Sequence, residues 1–297
     1  MPEPTLFRAA VRGTLRLSPH LVRVTFGPAA PATGIADLTA FRSSGVGDER
    51  LVLVLPGPDR RDTPAPGADR GLDHLPPVRR PVQRSYTVRA FDPASATLVV
   101  DVVVHEGGPG SAWALRAAPG DVVALTEAMG WYAPPPEATW QLLVADLTGL
   151  PALARITETS PLPSHALVEV PEPADRLALP AAASTRWLCG TGNGLAPSGL
   201  LRAVRALELP PGPGYVWCAG EARETRALRR HLRHERGLTT REYVVLGYWR
   251  QDQADWERRY AAVAGGLEGV YADAVARGLS STDALEAYDD ALEQVGL

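Results

Sequence analysis

The sequence predicts an antiparallel β-barrel, then a Rossmann-like α/β domain with a parallel sheet, and finally a C-terminal helical extension. Short strand patterns separated by turn residues fill the first half of the 297 residues, which is typical of a barrel. Strand and helix patterns alternate from Trp140 onward, which favours parallel strands joined by helical crossovers. After Arg250 only helical periodicity remains. We therefore predict domains over 1–135 and 136–250 and a helical extension over 251–297.

The predicted barrel contains six strands, each a short run of alternating or apolar residues. They are Ala10–Leu17, Leu21–Phe26, Leu51–Leu55, Arg84–Arg89, Leu98–His105 and Val122–Leu125. The stretch from Pro56 to Pro81 is rich in Pro, Gly, Asp and Arg and predicts a surface loop, because it offers little apolar surface to bury. The cluster Pro134–Pro136 marks the predicted domain boundary, since proline-rich segments without periodicity are typical linkers.

Five strands and three helices are predicted for the second domain. The strands are Gln141–Ala145, Ala166–Val170, Thr185–Cys189, Tyr215–Ala219 and Tyr243–Gly247, and the helices begin near Pro151, Pro197 and Glu224, the last extending to Arg236. Apolar residues at three- and four-residue steps predict two amphipathic helices after Arg250. Asp283 and Glu286 have the spacing of a helix-capping pair. We expect both helices to pack onto the second domain, because their exposed faces carry mixed charge.

Charge and composition exclude several classes of function. A net charge of −4 and an isoelectric point near 5.9 provide no basic field for nucleic acid or an anionic membrane. All 30 basic residues are arginine, which rules out lysine Schiff-base chemistry. Cys189 and Cys218 predict neither a disulfide framework nor a zinc site. No apolar run approaches the ~20 residues of a membrane span, so we expect a cytoplasmic protein, which we predict to be a monomer.

The strand Arg84–Thr87 combines the side chains that a flavin cofactor needs. Cationic or amide donors serve the phosphates, an aromatic surface serves the ring, and a hydroxyl serves its reactive edge. On an extended strand Arg84 and Tyr86 share one face while Ser85 and Thr87 share the other, so one strand can serve different parts of the cofactor. The alternative is an ordinary barrel strand with a surface arginine, and these residues alone leave both interpretations open.

The run from Val102 to Ala114 predicts a second part of the same site. It has the pattern of a strand, a glycine-rich turn and a helix entered at Ser111. The first turn of a helix offers free backbone N–H groups and a favourable dipole to a pyrophosphate. A tight turn before a capped helix is the alternative, since that arrangement is common without any ligand.

These motifs together resemble the siderophore-interacting proteins, a family of flavin-dependent ferric-siderophore reductases in the ferredoxin reductase-like superfamily. The likeness extends from about Phe7 to Arg250 and follows an ordered series of motifs. The motifs are RSYTVR at Arg84–Arg89, DVVVH ending at His105, GPGSAWA from Gly108, PGD at Pro119–Asp121, DLTGLPA at Asp146–Ala152, AGEA at Ala219–Ala222, the RRHL helix and GYWR at Gly247–Arg250. The resemblance implies a barrel that binds FAD and an α/β domain that binds NADPH or NADH.

The resemblance also implies where the cofactors and the substrate bind. FAD contacts are implied for Arg84, Ser85, Tyr86, Thr87, Val104, His105, Gly108, Ser111, Ala112 and Trp113. Asp146 and Thr148 are implied near the flavin, and Gly220, Glu221, Tyr248 and Trp249 around the nicotinamide and substrate cleft. Some relatives hold a negatively charged chelate with lysines, so the substrate ligands implied here are arginines, namely Arg229, Arg230, Arg233 and Arg250.

The chain differs from the family pattern in two places. Leu147 stands where relatives often carry glutamate, which removes a polar group near the cleft. The tail after Arg250 extends beyond the GYWR motif and is a candidate cover for the nicotinamide cleft, as a C-terminal region is in one branch of the family.

Two other patterns are interpreted as structural. The glycine-rich segment Gly190–Pro197 looks like a dinucleotide loop, but the first strand and turn of this domain come earlier, so it is predicted to be a connecting turn. His231 and His234 lie three residues apart on an arginine-rich helix. Without a further ligand cluster they predict a solvated helix face rather than a metal site.

The predicted activity is the reduction of a ferric siderophore with electrons that pass from NADPH or NADH through FAD. Such electron transfer needs orientation and cationic attraction, and no catalytic acid or base. Two alternatives stay open: a general flavin or ferredoxin-type electron transferase, and a siderophore-binding protein without turnover. An iron–sulfur partner would be a separate protein, because the chain has no cysteine cluster.

Overall fold

Residues 5–30, 35–57, 82–267 and 269–297 are described by a computed structural model of the protein. The loop predicted over Pro56–Pro81 lies almost entirely outside the described residues, so it stays a prediction. No helix in the described part of the chain is long and apolar enough to cross a bilayer.

Within the described residues, eight strands form the N-terminal sheet. They are β1 (Leu6–Ser18), β2 (Leu21–Pro28), β3 (Ala36–Asp37), β4 (Arg50–Leu55), β5 (Val82–Thr87), β6 (Ala90–Asp92), β7 (Thr97–Val103) and β8 (Val122–Thr126), with helix α1 (Pro109–Arg116) between β7 and β8. The hydrogen-bonded order is β5-β4-β8-β1-β2-β7-β6, with antiparallel neighbours, and β3 adds a short parallel pair to β1. The six predicted strands are confirmed, whereas β3 and β6 are too short to show an alternating pattern.

The sheet closes into the predicted barrel because its two edge strands follow each other directly in the chain. Only Val88 and Arg89 separate β5 from β6. The Val88 N–H donates to the carbonyl of Glu49, just before β4, and the Arg89 N–H donates to the carbonyl of Val99 in β7, each at 2.9 Å. The inward side chains are apolar and give the barrel its own core.

The second sheet has five parallel strands in the order β11-β10-β9-β12-β13, which confirms the predicted Rossmann-like architecture. Its elements are β9 (Trp140–Ala145), α2 (Leu150–Thr159), β10 (Ser164–Val170), β11 (Ser184–Cys189), α3 (Leu200–Arg205), β12 (Gly214–Glu221), α4 (Ala222–Arg230) and β13 (Tyr243–Trp249). The strand order reverses between β9 and β12. Ligand crevices form at the carboxyl ends of the strands at such a switch point.

The helix predicted up to Arg236 changes form before its end. α4 gives way to a π-helical turn over His231–Glu235. His231 is buried, with its Nδ1 2.8 Å from a carboxylate oxygen of Glu235 and its Nε2 accepting a hydrogen bond from Arg236 at 3.3 Å. The prediction of a solvated face is therefore wrong for His231, whereas His234 is exposed.

The barrel and the α/β domain share a continuous apolar core. Leu17, Leu21 and Val103 of the barrel belong to the same cluster as Leu143 and Trp217 of the parallel sheet. Non-polar contact brings the two sheets together without specifying their register, because the hydrophobic effect is non-directional. The predicted domain limits stay predictions.

Buried carboxylates also form hydrogen bonds across this junction, and hydrogen bonds, unlike apolar contacts, require a defined geometry. Asp48, just before β4, accepts a hydrogen bond from the Trp217 indole at 3.0 Å and from two backbone N–H groups at 2.8 Å. Asp175 of the α/β domain accepts from the Ser18 hydroxyl at 2.7 Å and from the His20 N–H at 3.0 Å. Each carboxylate lies in one half of the molecule and accepts at least one hydrogen bond from the other half, so both hold the junction in one arrangement.

Three helices form the C-terminal extension, where two were predicted: α5 (Gln253–Leu267), α6 (Val270–Ala276) and α7 (Ser281–Gln294). The first predicted helix is interrupted near Gly269, whose φ of 91° lies in the left-handed region that favours glycine. α7 is capped earlier than predicted, because the Ser280 hydroxyl accepts from the Asp283 N–H at 3.1 Å. Glu286, the predicted capping partner of Asp283, is instead buried against α4.

Opposite charges join α7 to α4, which confirms that the tail packs onto the α/β domain. Arg229 is 3% exposed and lies among three carboxylates of α7, with Asp289 the nearest at 2.7 Å. Arg226 and Arg233 make further ion pairs with carboxylates of the same helix, at 3.5 and 3.3 Å. α7 therefore encloses the charge of Arg229, and the substrate contact implied for this residue stays a prediction.

Replacing Arg229 with leucine should release α7 from α4. Truncating one partner of a buried ion pair costs about 3 to 5 kcal/mol, because the remaining charges stay uncompensated. Hydrogen–deuterium exchange should rise over Ser281–Gln294 and stay unchanged in the barrel. Arg241→Leu is the control, since that arginine side chain is 75% exposed in its ion pair. Equal exchange of α7 in both variants would contradict the role of Arg229.

Candidate functional site

The predicted flavin strand is β5, and its residues differ in exposure. Arg84 and Ser85 are exposed, Tyr86 is half-buried and Thr87 is buried. Pairing with β4 sets the register and places Leu51 opposite Tyr86. Burial raises the pKa of Tyr86 to about 12, so its hydroxyl stays protonated and can donate a hydrogen bond at physiological pH. β5 thus presents an exposed cation beside a protonated phenol.

The start of α1 lies directly against Tyr86. A Cβ on Gly110 would overlap the Tyr86 hydroxyl oxygen, so glycine is needed for this approach. α1 begins at Pro109, before the predicted start at Ser111. The Ser111 hydroxyl instead accepts from the His105 N–H at 3.0 Å, which ties the helix to the end of β7. The first-turn N–H groups of Gly110 and Ser111 have no acceptor within the helix, and such groups can bind an anion.

Two of the residues implied for FAD have side chains in the barrel core. Trp113 is 1% exposed and stacks on Phe26, with ring centroids 6.2 Å apart. Val104 is buried in the same cluster. The FAD contact implied for Trp113 stays a prediction and would have to come from its backbone, because the helix period turns its side chain inward. The implied residues of this segment that are exposed or half-buried are His105, Gly108 and Ala112.

The residues present fit FAD. Arg84 and Tyr86 converge on the first turn of α1, where Gly110 lets both side chains approach the helix backbone. At the neighbouring end of β13, the hydroxyl of Tyr248 is buried beside Thr87 of β5 and makes no hydrogen bond of ordinary geometry with the described residues. Since buried polar groups are nearly always paired, this orphaned hydroxyl is typical of a site that a ligand completes.

Asp146 holds the carboxyl ends of three parallel strands together. Directly after β9, its buried carboxylate accepts from the Thr148 N–H and hydroxyl at 2.8 and 2.6 Å and from the Gly149 N–H at 3.3 Å. Its other oxygen accepts from the Glu221 N–H at the end of β12 at 3.0 Å and from the Trp249 indole in β13 at 2.6 Å. Burial raises the pKa of Asp146, and these hydrogen bonds act against that shift by favouring the charged form.

Gly220 and Glu221 shape the end of β12. A Cβ on Gly220 would lie 2.9 Å from a carboxylate oxygen of Asp146, so the strand can approach this carboxylate only as glycine. Glu221 caps α4, because its carboxylate accepts from the Arg223 and Glu224 N–H groups at 2.6 and 3.1 Å. Its contribution is therefore to position the first turn of α4 at the edge of the site.

A cleft of about 810 Å³ opens at the switch point between β9 and β12. Asp146, Glu221 and Trp249 line one part of it, and α5 and the last residues of the chain line another, so the tail borders the cleft. The glycine-rich segment predicted as a connecting turn joins β11 to α3 and also lines the cleft, where the Asn193 side chain accepts from the Leu147 N–H at 3.0 Å. The Leu147 side chain is buried in the α/β core, away from the cleft surface.

The remaining arginines implied for the substrate have different surroundings. Arg250 lines the cleft, and its guanidinium lies 4.2 Å from the ring centroid of Trp256. Burial lowers the pKa of Arg250, and the charge of Arg226 acts in the same direction. The Arg233 side chain is 45% exposed, although it is paired with Asp290 of α7 at 3.3 Å. Of Arg233 and Arg250, only Arg250 lines the cleft; Arg230 is exposed on α4.

Sequence reasoning missed four buried charged residues at the junction of the two sheets, one of which is Asp175. Asp48 and Glu49 are fully buried, and Arg155 is 7% exposed. Arg155 donates to Glu49 at 2.7 Å. One signal was present in the sequence, since Arg155 is a cation within the apolar run from Leu150 to Ile156, and a buried cation needs a partner.

Comparison with known proteins connects this geometry to a family. The profile of the siderophore-interacting FAD-binding domain matches residues 10–131, and that of the siderophore-interacting protein matches residues 138–252. The chain belongs to the siderophore-interacting protein family. The first match covers the barrel strands and α1, and the second covers the parallel sheet with its cleft. The family predicted from the motifs is confirmed, and the barrel is an FAD-binding domain.

Named relatives cover most of the chain. It is 31% identical over 200 residues to the ferric vibriobactin reductase ViuB of Vibrio cholerae, covering 63% of this chain and 72% of that protein. It is 29% identical over 242 residues to the NADPH-dependent ferric-chelate reductase of Escherichia coli, covering 79% and 89%. The crystal structure of a siderophore utilization protein from T. fusca matches with a TM-score of 0.69 and 34% identity, covering 85% of this chain and 95% of that one.

The fold extends beyond the family. A ferredoxin NADP⁺ reductase from Neisseria gonorrhoeae, solved with FAD and NADP, has 15% identity and a TM-score of 0.50 and covers 77% of this chain and 91% of that one. At this identity the likeness shows the fold alone. The predicted fold class, a barrel followed by a Rossmann-like domain, is confirmed, and the individual cofactor contacts stay predictions.

Gly110→Ala should weaken FAD binding about tenfold, equivalent to about 1.4 kcal/mol, because the added Cβ displaces the Tyr86 hydroxyl from the start of α1. Quenching of FAD fluorescence in a titration measures the Kd. Gly13→Ala is the matched control, since nothing lies within 4 Å of the Cβ it adds to the barrel. If the two variants bind FAD equally well, Gly110 and Tyr86 do not belong to the site.

Asp146→Asn should destabilise the α/β domain by about 2 kcal/mol while keeping the shape of the side chain. In either orientation the asparagine amide turns an N–H group towards donors, at Thr148 on one side or at Glu221 and Trp249 on the other. Urea unfolding followed by circular dichroism measures the loss. Asp252→Asn, an exposed position lining the same cleft, is the control. A loss below about 0.5 kcal/mol for Asp146→Asn would be that of an ordinary surface change and would contradict the prediction.

Proposed function

We propose that the protein reduces ferric siderophores with electrons from NADPH or NADH, using FAD as its bound cofactor. The observation that carries the proposal is the position of the cleft at the switch point, next to the junction with the FAD-binding barrel. Tyr248, at the end of β13, belongs to the apolar core that the two sheets share. The proposed sites of the two cofactors therefore border the same junction.

The protein supplies binding and orientation for FAD. FAD, when bound, accepts a hydride from a nicotinamide and returns two electrons one at a time, which suits a one-electron acceptor such as Fe(III). We assign its phosphates to Arg84 and the first turn of α1, because a cation and free N–H groups favour an anion. Tyr86 supplies a protonated hydroxyl and an aromatic surface, and Ser85 and Thr87 complete the strand.

We assign the nicotinamide cofactor to the cleft. Asp146 keeps the turn with Thr148 in place through contacts inside the protein, and Trp249 and Glu221 border the space beyond it. Hydride transfer needs alignment and the exclusion of water, and it needs no residue that accepts or delivers a proton. The proposal therefore gives the residues of the cleft positioning roles and names no catalytic acid or base.

The proposed substrate is a ferric siderophore, and Arg250 is its proposed cationic contact at the cleft. One nicotinamide carries two electrons, so each turnover converts two ferric ions into two ferrous ions and yields one oxidised nicotinamide and one proton. Ferrous ion leaves the chelate more readily, because the oxygen ligands of a siderophore favour the harder ferric ion. The names of the Vibrio and Escherichia relatives, both ferric reductases, support this substrate class.

We further propose that the protein works in the cytoplasm as a monomer. Cys189 and Cys218 are both free thiols, which suits a reducing compartment. Light scattering of the purified protein tests the monomer, and cell fractionation tests the compartment.

Anaerobic absorbance measurements test the proposed activity. Protein loaded with FAD should bleach when NADPH or NADH is added and should regain its colour when a ferric siderophore follows. A ferrous-selective chelator should trap two ferrous ions for each nicotinamide oxidised. Ferric catecholate and ferric hydroxamate chelates are supplied separately, and the matching gallium chelates, which have the same charge but are not reduced, serve as controls.

Other outcomes select the alternatives. A flavin that remains oxidised in the presence of both nicotinamides would reject a reductase. Chelates that bind while reduced flavin keeps its electrons would indicate a siderophore-binding protein without turnover. Iron reduction that occurs only with free flavin in excess would indicate a general flavin reductase.

A further inference from the structure

One helix connects the turn at the nicotinamide cleft with the flavin strand. α2 begins at Leu150, immediately after the turn that Asp146 holds, and its later residues reach the barrel. There the Arg155 guanidinium donates to the Val88 carbonyl at 2.5 Å and to the Glu49 carboxylate at 2.7 Å. Val88 is the first residue after β5. A single rigid element therefore links the two halves of the proposed site.

The carboxylate that receives Arg155 is itself enclosed. Glu49 is fully buried and accepts from the Ser44 N–H and hydroxyl at 2.7 and 2.6 Å and from the Ser43 hydroxyl. Burial acts to raise the pKa of Glu49, but these hydrogen bonds and the charge of Arg155 outweigh burial and lower the pKa. The carboxylate therefore stays charged and holds one arm of the guanidinium fork, while the Val88 carbonyl holds the other.

The barrel backbone packs directly on α2 at the same place. A Cβ on Gly47 would lie 2.6 Å from Cγ1 of Ile156, so no side chain separates this loop from the helix. Further along α2, Glu158 pairs with Arg89 at 2.5 Å, but Glu158 is 43% exposed and such pairs contribute little. The buried Arg155 is therefore the polar contact that sets where α2 lies against the end of β5.

We propose that Arg155 is a positioning residue for electron transfer, which fixes through α2 the separation between β5 and the turn after β9. The inference rests on the proposed function, because that separation matters only if a nicotinamide must align with a flavin on β5. Arg155 touches neither proposed cofactor site and acts by holding two stretches of backbone together. A displacement of about 1 Å in reacting groups can lower a rate about 100-fold, so a small shift of α2 would be measurable.

Arg155→Lys keeps the charge beside Glu49 and removes the planar fork that joins Glu49 to Val88. Stopped-flow absorbance should show hydride transfer from NADPH or NADH to bound FAD slowed by about tenfold or more. The Kd for FAD, and the rate at which chemically reduced protein is reoxidised by a ferric siderophore, should stay within about threefold of the native values. Hydrogen exchange, a readout independent of activity, should rise at Val88 and Arg89.

Arg241→Lys is the matched control, because it makes the same substitution at an exposed ion pair with Glu137 and should change none of these measurements. Hydride transfer within about threefold of the native rate in Arg155→Lys would overturn the inference. The inference would also fail if flavin reduction by the nicotinamide and flavin reoxidation by the ferric siderophore slowed equally while FAD bound more weakly. If Arg155→Lys does not fold, the same measurements on Glu49→Gln test the inference, since this variant weakens the hydrogen bond from Arg155 to residue 49 and leaves the one to the Val88 carbonyl. Native protein that neither nicotinamide reduces would reject the proposed function instead.

Discussion

The buried carboxylate of Asp146 is the contact on which the arrangement of the site depends. A charge removed from water must be satisfied by protein donors, and here the donors come from the turn after β9, the end of β12 and the indole of Trp249. Meeting that requirement brings three strand ends to fixed positions. This carboxylate lies next to the cleft, the start of α2 and the cap of α4. It therefore helps to fix the position of all three.

The junction between the two sheets combines a non-directional and a directional interaction. Apolar side chains from both sheets form one core, which favours association but tolerates sliding. Asp48, Asp175 and Arg155 each cross the junction with hydrogen bonds of defined geometry. Because a buried polar group that loses its partner pays the full desolvation cost, these contacts select one relative placement of the two halves. The proposed alignment of two cofactors at this junction depends on that placement.

A chain without lysine distributes all its positive side-chain charge through arginine, and the fold uses these guanidinium groups in unlike ways. Arg229 is enclosed by the carboxylates of α7, Arg155 joins two backbones, and Arg250 borders the cleft. Because the residue type is the same in each case, the role of each arginine is set by the groups that its guanidinium contacts. An arginine-rich helix face such as that of α4 is therefore weak grounds for predicting a free cationic surface.

Local pattern determined the order of strands and helices, the barrel and Rossmann-like classes, the position of β5 and the family, because periodicity and contiguous motifs are carried by neighbouring residues. The start of α1 and the cap of α7 were misplaced by a few residues, since each depends on which hydroxyl or glycine the backbone reaches. The Trp113 side chain lies in the barrel core, and Arg229 is paired with carboxylates of α7. The tertiary structure alone decided these roles and those of Glu49, Asp48 and Arg155, whose partners lie 106 residues away for Arg155 and 169 for Asp48. A buried charge takes its meaning from the group that compensates it, and folding brings that group from a distant part of the chain.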